Sequence, residues 1–464
     1  MATTRQVDTG FIKGLGLLDS TTLVIGSMIG SGIFIVSADI ARQVNSPGLL
    51  ILPWLVTAIL TMIAALTYGE LAAAMPRAGG QYIYLREAYG PLFGFLYGWT
   101  LFLVIQTGTV AAVAVAFSKF AGVFFPSISA TNYVIRAAGI QINTQQALAI
   151  GVIVLLTAVN TRGIHTGAVV QNIFTFAKTA ALLGLIVLGF LAGRDAAAIE
   201  ANFTDFWRGA DWNWTVIRIV GVAMVGALFA SDAWNNVTFT AGEIRNPRRN
   251  LPLSLAIGVG IVSLLYLACN FVYLTALPLD AIQSAPEDRV ATAAAARVFG
   301  PVAVQFMAAA IMISTFGCAN GMLLAGARVY YAMARDGLFF RQVAKLHPVH
   351  RTPVVSLVFQ CIWTCVLTLT GTYSDLLDYV IFAVLLFYIL TIGGVFVLRR
   401  TRPGMERPYR AFGYPVLPAV YMVCAGLIEV LLLLYKPSYT WPGLGIVLLG
   451  IPVYLLWRRR EALQ

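Results

Sequence analysis

Apolar residues in this chain fall into long runs, separated by short stretches of Pro, Gly and charge. The runs lie near 18–40, 48–74, 92–124, 145–161, 168–192, 215–240, 252–275, 300–334, 354–371, 376–398, 416–435 and 441–457. A helix needs about 20 apolar residues to cross a hydrocarbon core, and the runs are of that order. Backbone groups in lipid must be satisfied within their own segment, which leaves helices or closed barrels. No alternating segment of about ten residues recurs as a barrel requires. The pattern predicts an all-α integral membrane protein with twelve transmembrane helices.

Composition supports this reading. Of 464 residues, 59% are hydrophobic and 11% charged, and the mean hydropathy is +0.81. Soluble proteins spend about a quarter of their residues on charge. The net charge of +11 suggests nucleic acid only where it forms a solvated patch. Here the basic residues follow the loops. With both termini cytoplasmic, Arg77, Arg86, Arg162, Arg245, Arg248, Arg249, Arg335, Arg341, Arg399, Arg400, Arg402, Arg407, Arg410 and the 458–460 run fall inside. Arg42, Arg136, Arg194, Arg208, Arg289, Arg297 and Lys436 fall outside. That asymmetry is the positive-inside pattern, so the charge reports topology and no nucleic acid partner is expected. Residues 1–17 and 458–464 are the expected cytoplasmic tails, and residues 1–17 lack the apolar core and cleavage site of a signal peptide.

Two spans carry polar interruptions near their middles. The first holds Gly26-Ser27-Met28-Ile29-Gly30-Ser31-Gly32, and the sixth Phe229-Ala230-Ser231-Asp232-Ala233-Trp234. Glycine weakens a helix by about 1 kcal/mol relative to Ala. The Gly26/Gly30 pair taken alone is equally a helix-packing motif. Interruptions at matching places in two halves point instead to a transporter site. The chemistry suits a zwitterion. N–H groups of Gly30, Ser31 and Gly32 at a half-helix start favour a carboxylate, and unwound carbonyls of Met28, Phe229, Ala230 and Ser231 favour an ammonium. With Ile29 and Asp232 these form the predicted substrate-binding set.

The motifs Ile29-Gly-Ser-Gly-Ile-Phe34, Gln171-Asn-Ile-Phe-Thr-Phe-Ala-Lys178, Glu243-Ile-Arg-Asn-Pro-Arg-Arg-Asn-Leu-Pro252 and Ala334-Arg-Asp-Gly337 resemble the amino acid-polyamine-organocation transporters. Within that superfamily the likeness is to the L-type amino acid transporter branch and its bacterial relatives. The resemblance implies a LeuT-like fold of two inverted five-helix repeats, 18–192 and 215–398, plus two extra helices within 416–457. It also implies alternating access and sodium-independent exchange of amino acids, with proton-coupled symport as the alternative, and it places Phe229 as a lid over the substrate. Lys178 matches a family lysine that occupies a sodium position. Its expected contacts are the Gly26 carbonyl and a hydroxyl of Ser314 or Thr315. Asp232 matches an aspartate of the cationic-preferring branch, whereas the L-type branch proper mostly has small neutral residues there. The preferred side chain therefore stays open between neutral and cationic.

Other ionisable residues are read more plainly. Glu70 and Glu243 suit capping or gate ion pairs with loop arginines, Arg218 suits snorkelling, and Glu429 lies mid-span in the eleventh helix. The five cysteines, Cys269, Cys318, Cys361, Cys365 and Cys424, all sit in apolar runs and form no metal spacing. No phosphate-binding loop occurs, so neither a cofactor, a metal nor an enzymatic activity is expected. A sensor that binds amino acids without moving them is the rival reading. L-type transporters often bond a glycoprotein through a cysteine after the third helix. The matching loop here, 126–144, has none, so that partner is not expected, and the chain reads as a stand-alone bacterial transporter of the plasma (inner) membrane.

Overall fold

Four α-helices among the described residues open on proline. Pro47, Pro91, Pro247 and Pro437 each open a helix, at a position where a missing N–H costs nothing. The computed structural model describes residues 11–137, 140–370 and 373–461. In chain order the helices are α1 (Leu17–Met28), α2 (Gly32–Val44), α3 (Pro47–Ala74), α4 (Gln81–Tyr89), α5 (Pro91–Thr100), α6 (Gln106–Ala121), α7 (Thr144–Thr161), α8 (Ile164–Ala192), α9 (Ala196–Phe203), α10 (Trp214–Ala230), α11 (Asn236–Phe239), α12 (Pro247–Ala276), α13 (Leu279–Gln283), α14 (Val290–Phe299), α15 (Val302–Arg335), α16 (Val354–Thr370), α17 (Tyr373–Thr401), α18 (Val416–Tyr435) and α19 (Pro437–Glu461). A π turn at Leu101–Ile105 joins α5 to α6.

Among the described residues ten helical segments are long and apolar enough to cross a membrane, counting α1 with α2 and α5 with α6 as single spans. Two shorter apolar helices, α10 and α16, have 17 residues each. Residues 1–10 of the expected N-terminal tail and 462–464 of the C-terminal tail lie outside the described residues. Sequence periodicity missed the short helices α4, α9, α13 and α14 and one hairpin. β1 (Tyr133–Ala137) and β2 (Ile140–Asn143) pair antiparallel, with Tyr133 opposite Asn143 and Ala137 opposite Ile140.

Both ends of the bundle are tied shut. At the face carrying the N-terminal segment, the N–H groups of Gly14 and Leu15 donate to the Glu243 carbonyl, and Arg245 N–H donates to Leu15. Glu243 accepts two bonds from Arg328 on α15, at 2.9 and 3.0 Å, and both side chains are buried. Its partner is therefore a helix arginine, whereas Glu70 takes one arginine from the last turn of α17, Arg399 at 2.6 Å, and one from the loop beyond it, Arg407 at 3.3 Å. Nearby, Arg86 pairs with Asp336 and Glu87, and Arg402 reaches Glu87 at 2.6 Å. Burial raises the Glu87 pKa, but hydrogen bonds from Arg86 and Arg402 outweigh it and hold the carboxyl below its ordinary value. At the opposite face Arg42 reaches Asp288 and the Gln283 carbonyl, both at 2.8 Å. There the Lys119 ammonium also donates to the Glu287 carbonyl at 2.7 Å.

Candidate functional site

The first interruption falls at residues 29–31, between α1 and α2. Ile29 is extended (φ −74°, ψ 90°) and Ser31 occupies the position just before α2. The second falls at 231–235, between α10 and α11, where Ala233 adopts φ +64°. A helix start leaves its first N–H groups without intrahelical partners, and a helix end does the same for its last carbonyls. Each interruption therefore exposes backbone of both kinds.

Glycine brings the two breaks together. A Cβ on Gly32 would lie 2.5 Å from the Ala230 Cβ and 2.7 Å from its Cα. Only a residue without a side chain lets α2 begin against the end of α10. Tyr266 of α12 adds a second tie: its hydroxyl lies 3.0 Å from the Met28 carbonyl and 3.1 Å from the Ala230 carbonyl, one from each break.

Lys178 lies at the centre of α8, which begins at Ile164, four residues before the apolar run suggests. Only 1% exposed, its ammonium donates to the carbonyls of Gly26 (2.6 Å), Ile29 (2.7 Å) and Ser314 (3.3 Å). The Ser314 contact is thus through the main chain. The Ser314 hydroxyl donates instead toward Ile29 and Gly30, both at 3.1 Å. Thr315 bonds back to Ile311 and Met312 within α15. Ile29 faces this cluster through its carbonyl, on the side of the break away from the cavity described next.

Three small cavities meet at Asp232. One lies between the breaks and is lined by Met28, Gly30, Ser31, Gly32, Phe229 and Ala230, with Thr109 and Cys318. A second lies toward α4 and α11 and is lined by Gln81, Tyr97, Gln106, Asn235, Asn236 and Tyr388, beside the π turn. Such turns are frequent at functional sites. A third runs toward α3 and α18 and holds Thr61, Ser231, Trp234 and Tyr421. None offers more than about 20 Å³ of free space, enough for a water molecule; the chain is closed around this point. Of the nine residues predicted to bind substrate, seven line the first cavity, Ser231 lines the third, and Ile29 lines none.

Sequence reasoning missed the side chains that furnish this site. Tyr388 donates to Asp232 Oδ1 at 2.6 Å. Asn235 donates to Gln81 Oε1 at 2.8 Å, and Gln81 donates to Thr391 Oγ1 at 3.0 Å. The only sequence signal for Tyr388 is a polar tip in an apolar run, which singles out nothing. Elsewhere, the Arg218 guanidinium stacks over the Tyr435 ring at 4.9 Å. Glu429 is buried with neither carboxyl oxygen hydrogen-bonded.

A multi-span helical bundle with two interrupted helices around a closed, backbone-lined cavity is the architecture of a membrane transporter for small solutes. The family model for amino acid permeases matches residues 15–453, and the chain belongs to that family. Human large neutral amino acids transporter small subunit 2 is 31% identical over 452 residues, covering 96% of this chain and 80% of the relative. Human b(0,+)-type amino acid transporter 1 is 30% identical over 457 residues (97% and 88%), and mouse Asc-type amino acid transporter 1 is 30% identical over 455 (97% and 82%). The chain is a secondary amino acid transporter and not an enzyme.

Proposed function

We propose that the chain exchanges one amino acid for another across the plasma (inner) membrane by alternating access, without sodium. The carrying observation is that both interrupted helices meet at a single cavity, lined from α1–α2 by Met28, Gly30, Ser31 and Gly32 and from α10 by Phe229 and Ala230. The α-carboxylate takes the N–H groups of Ser31 and Gly32 at the start of α2, and that of Gly30 once it gives up its 2.8 Å bond to the Met28 carbonyl. The ammonium takes carbonyls of Met28, Phe229, Ala230 and Ser231. Phe229 closes over the substrate, and its side chain points to Asp232. Two inverted repeats, 18–192 and 215–398, with two further helices and both termini cytoplasmic, make twelve spans of LeuT-like arrangement. Lys178, with the carbonyls of Gly26 and Ser314, holds the place of a sodium ion, whereas the predicted Thr315 hydroxyl is bonded within α15. All five cysteines lie within helices, which supports a stand-alone chain without a disulfide-linked glycoprotein, of bacterial type.

Proton-coupled symport is the second reading, favoured by the unpartnered carboxyl of Glu429, since an ionisable group inside a membrane is commonly functional. The test is uptake of a labelled amino acid panel into proteoliposomes, with and without internal amino acid, sodium and a pH gradient. Uptake that requires internal substrate and ignores sodium supports exchange. Accumulation in empty vesicles under a pH gradient sinks it and supports symport. No counterflow with any amino acid overturns exchange.

A further inference from the structure

We infer that Tyr388 lets one side-chain pocket accept both uncharged and cationic amino acids, by supplying Asp232 with a hydrogen bond when the substrate brings no charge. The inference rests on the reading that Asp232 faces the substrate side chain.

Asp232 is 8% exposed and, among the described residues, takes part in no ion pair. The nearest buried ammonium, Lys178, is committed to the carbonyls of the first break. A carboxylate in that position without a partner is strongly disfavoured. The Tyr388 hydroxyl meets it at 2.6 Å, within the range of a charge-assisted O–H···O bond.

That hydroxyl is held in place by its ring. Tyr388 packs 5.7 Å from the Tyr68 ring and 5.2 Å from the Trp234 ring, and those two lie 4.8 Å apart. Trp234 belongs to the same interruption as Asp232. The donor is therefore aimed by the break it serves.

Residue type matters here. A carboxylate has two oxygens and accepts several hydrogen bonds. Tyr388 occupies one oxygen and, being neutral, leaves the negative charge uncancelled. An ammonium or guanidinium side chain adds its own bond to Asp232 alongside. An uncharged side chain leaves the Tyr388–Asp232 pair closed and still satisfied. An arginine at 388 would cancel the charge and repel cations; a phenylalanine would leave the carboxylate with only the Ala233 backbone N–H whenever an uncharged substrate is bound.

A plain alternative is that the bond only staples the end of α10 to α17. Tyr388→Phe keeps the ring and its packing and removes only the hydroxyl. The full chain in proteoliposomes is assayed for counterflow of labelled leucine and lysine, with kcat and KM determined for each and thermal stability measured in detergent. The expected result is a leucine KM raised about ten-fold, the loss of one hydrogen bond to a charged group, with the lysine KM moving at least five-fold less. Adding Asp232→Asn should bring the leucine KM back. Equal shifts for both substrates, a change confined to kcat, or no rescue in the double variant overturns the inference. A wild-type protein that counterflows leucine but not lysine instead overturns the underlying reading of Asp232, and this inference falls with it.

Discussion

Replacing Lys178 with methionine keeps an apolar stem of similar length and removes the ammonium. Three carbonyls then lose a donor, but unequally. Ile29 keeps the Ser314 hydroxyl at 3.1 Å, and the Ser314 contact at 3.3 Å is long. Gly26 loses its 2.6 Å partner in the last turn of α1, where the Gly30 N–H that a continued helix would offer it donates to Met28 instead. An unsatisfied buried acceptor costs about 1–3 kcal/mol. Taking about 2 kcal/mol for Gly26 alone, the arrangement of the first break becomes roughly thirty-fold less populated. Counterflow of a preferred amino acid should fall by about that factor in Lys178→Met. Lys178→Ala should fall further, because it adds a cavity. Uptake by the wild type should be the same in sodium and in choline buffer. Full counterflow in Lys178→Met, with the protein folded by thermal shift, would refute the claim that this ammonium shapes the break. Sodium stimulation of the wild type would refute its role as the ion's replacement.

Gly32→Ala should abolish counterflow, since its methyl meets the Ala230 backbone 2.7 Å away, and normal transport there would mean that the breaks need not touch. By contrast, Gly151→Ala and Gly184→Ala have no atom within 4 Å of the new methyl. Each should leave transport intact and raise stability by about 0.4–1 kcal/mol, read as a higher detergent melting temperature. Glu243→Gln leaves Arg328 charged and buried, so a loss of about 3–5 kcal/mol is expected; a melting temperature within a degree or two of wild type would contradict it. Arg248→Ala, at an exposed pair with Glu406, should change stability by under about 1 kcal/mol in the same assay. Tyr266→Phe should raise the KM of every amino acid by a similar factor, about five-fold for one ordinary hydrogen bond; discrimination between leucine and lysine there would assign it a different job.

The helices were legible because lipid leaves no other way to satisfy a long apolar backbone. Their ends were less so. α8 starts at Ile164 although His165, Thr166 and Gly167 interrupt the apolar run, because Gly163 at φ +123° turns the chain and lets a new helix begin there. The β1–β2 hairpin is too short to register as alternation. Both breaks were visible for a local reason: their glycines, serines and aspartate are contiguous in sequence. Arg328 was overlooked because a buried arginine in a helix announces itself only through its partner, Glu243, 85 residues away.

The side chains around the breaks were hidden for the same reason on a larger scale. Tyr266 reaches Met28 across 238 positions and Tyr388 reaches Asp232 across 156. No local pattern encodes such pairs; only the packed bundle does. The two tyrosines also act on different chemistry. A hydroxyl carries one proton, so Tyr266 satisfies either the Met28 or the Ala230 carbonyl at a given moment, and a carbonyl has two lone pairs. Met28 also accepts the Gly30 N–H, so its carbonyl has room for a further donor when the Tyr266 proton is on Ala230. On the proposed reading, Tyr388 spends its proton on a carboxylate that concerns only the side chain. Backbone recognition can therefore stay fixed while side-chain preference changes through Asp232 and its one tyrosine, which is why a contiguous motif locates this site and leaves its selectivity unread.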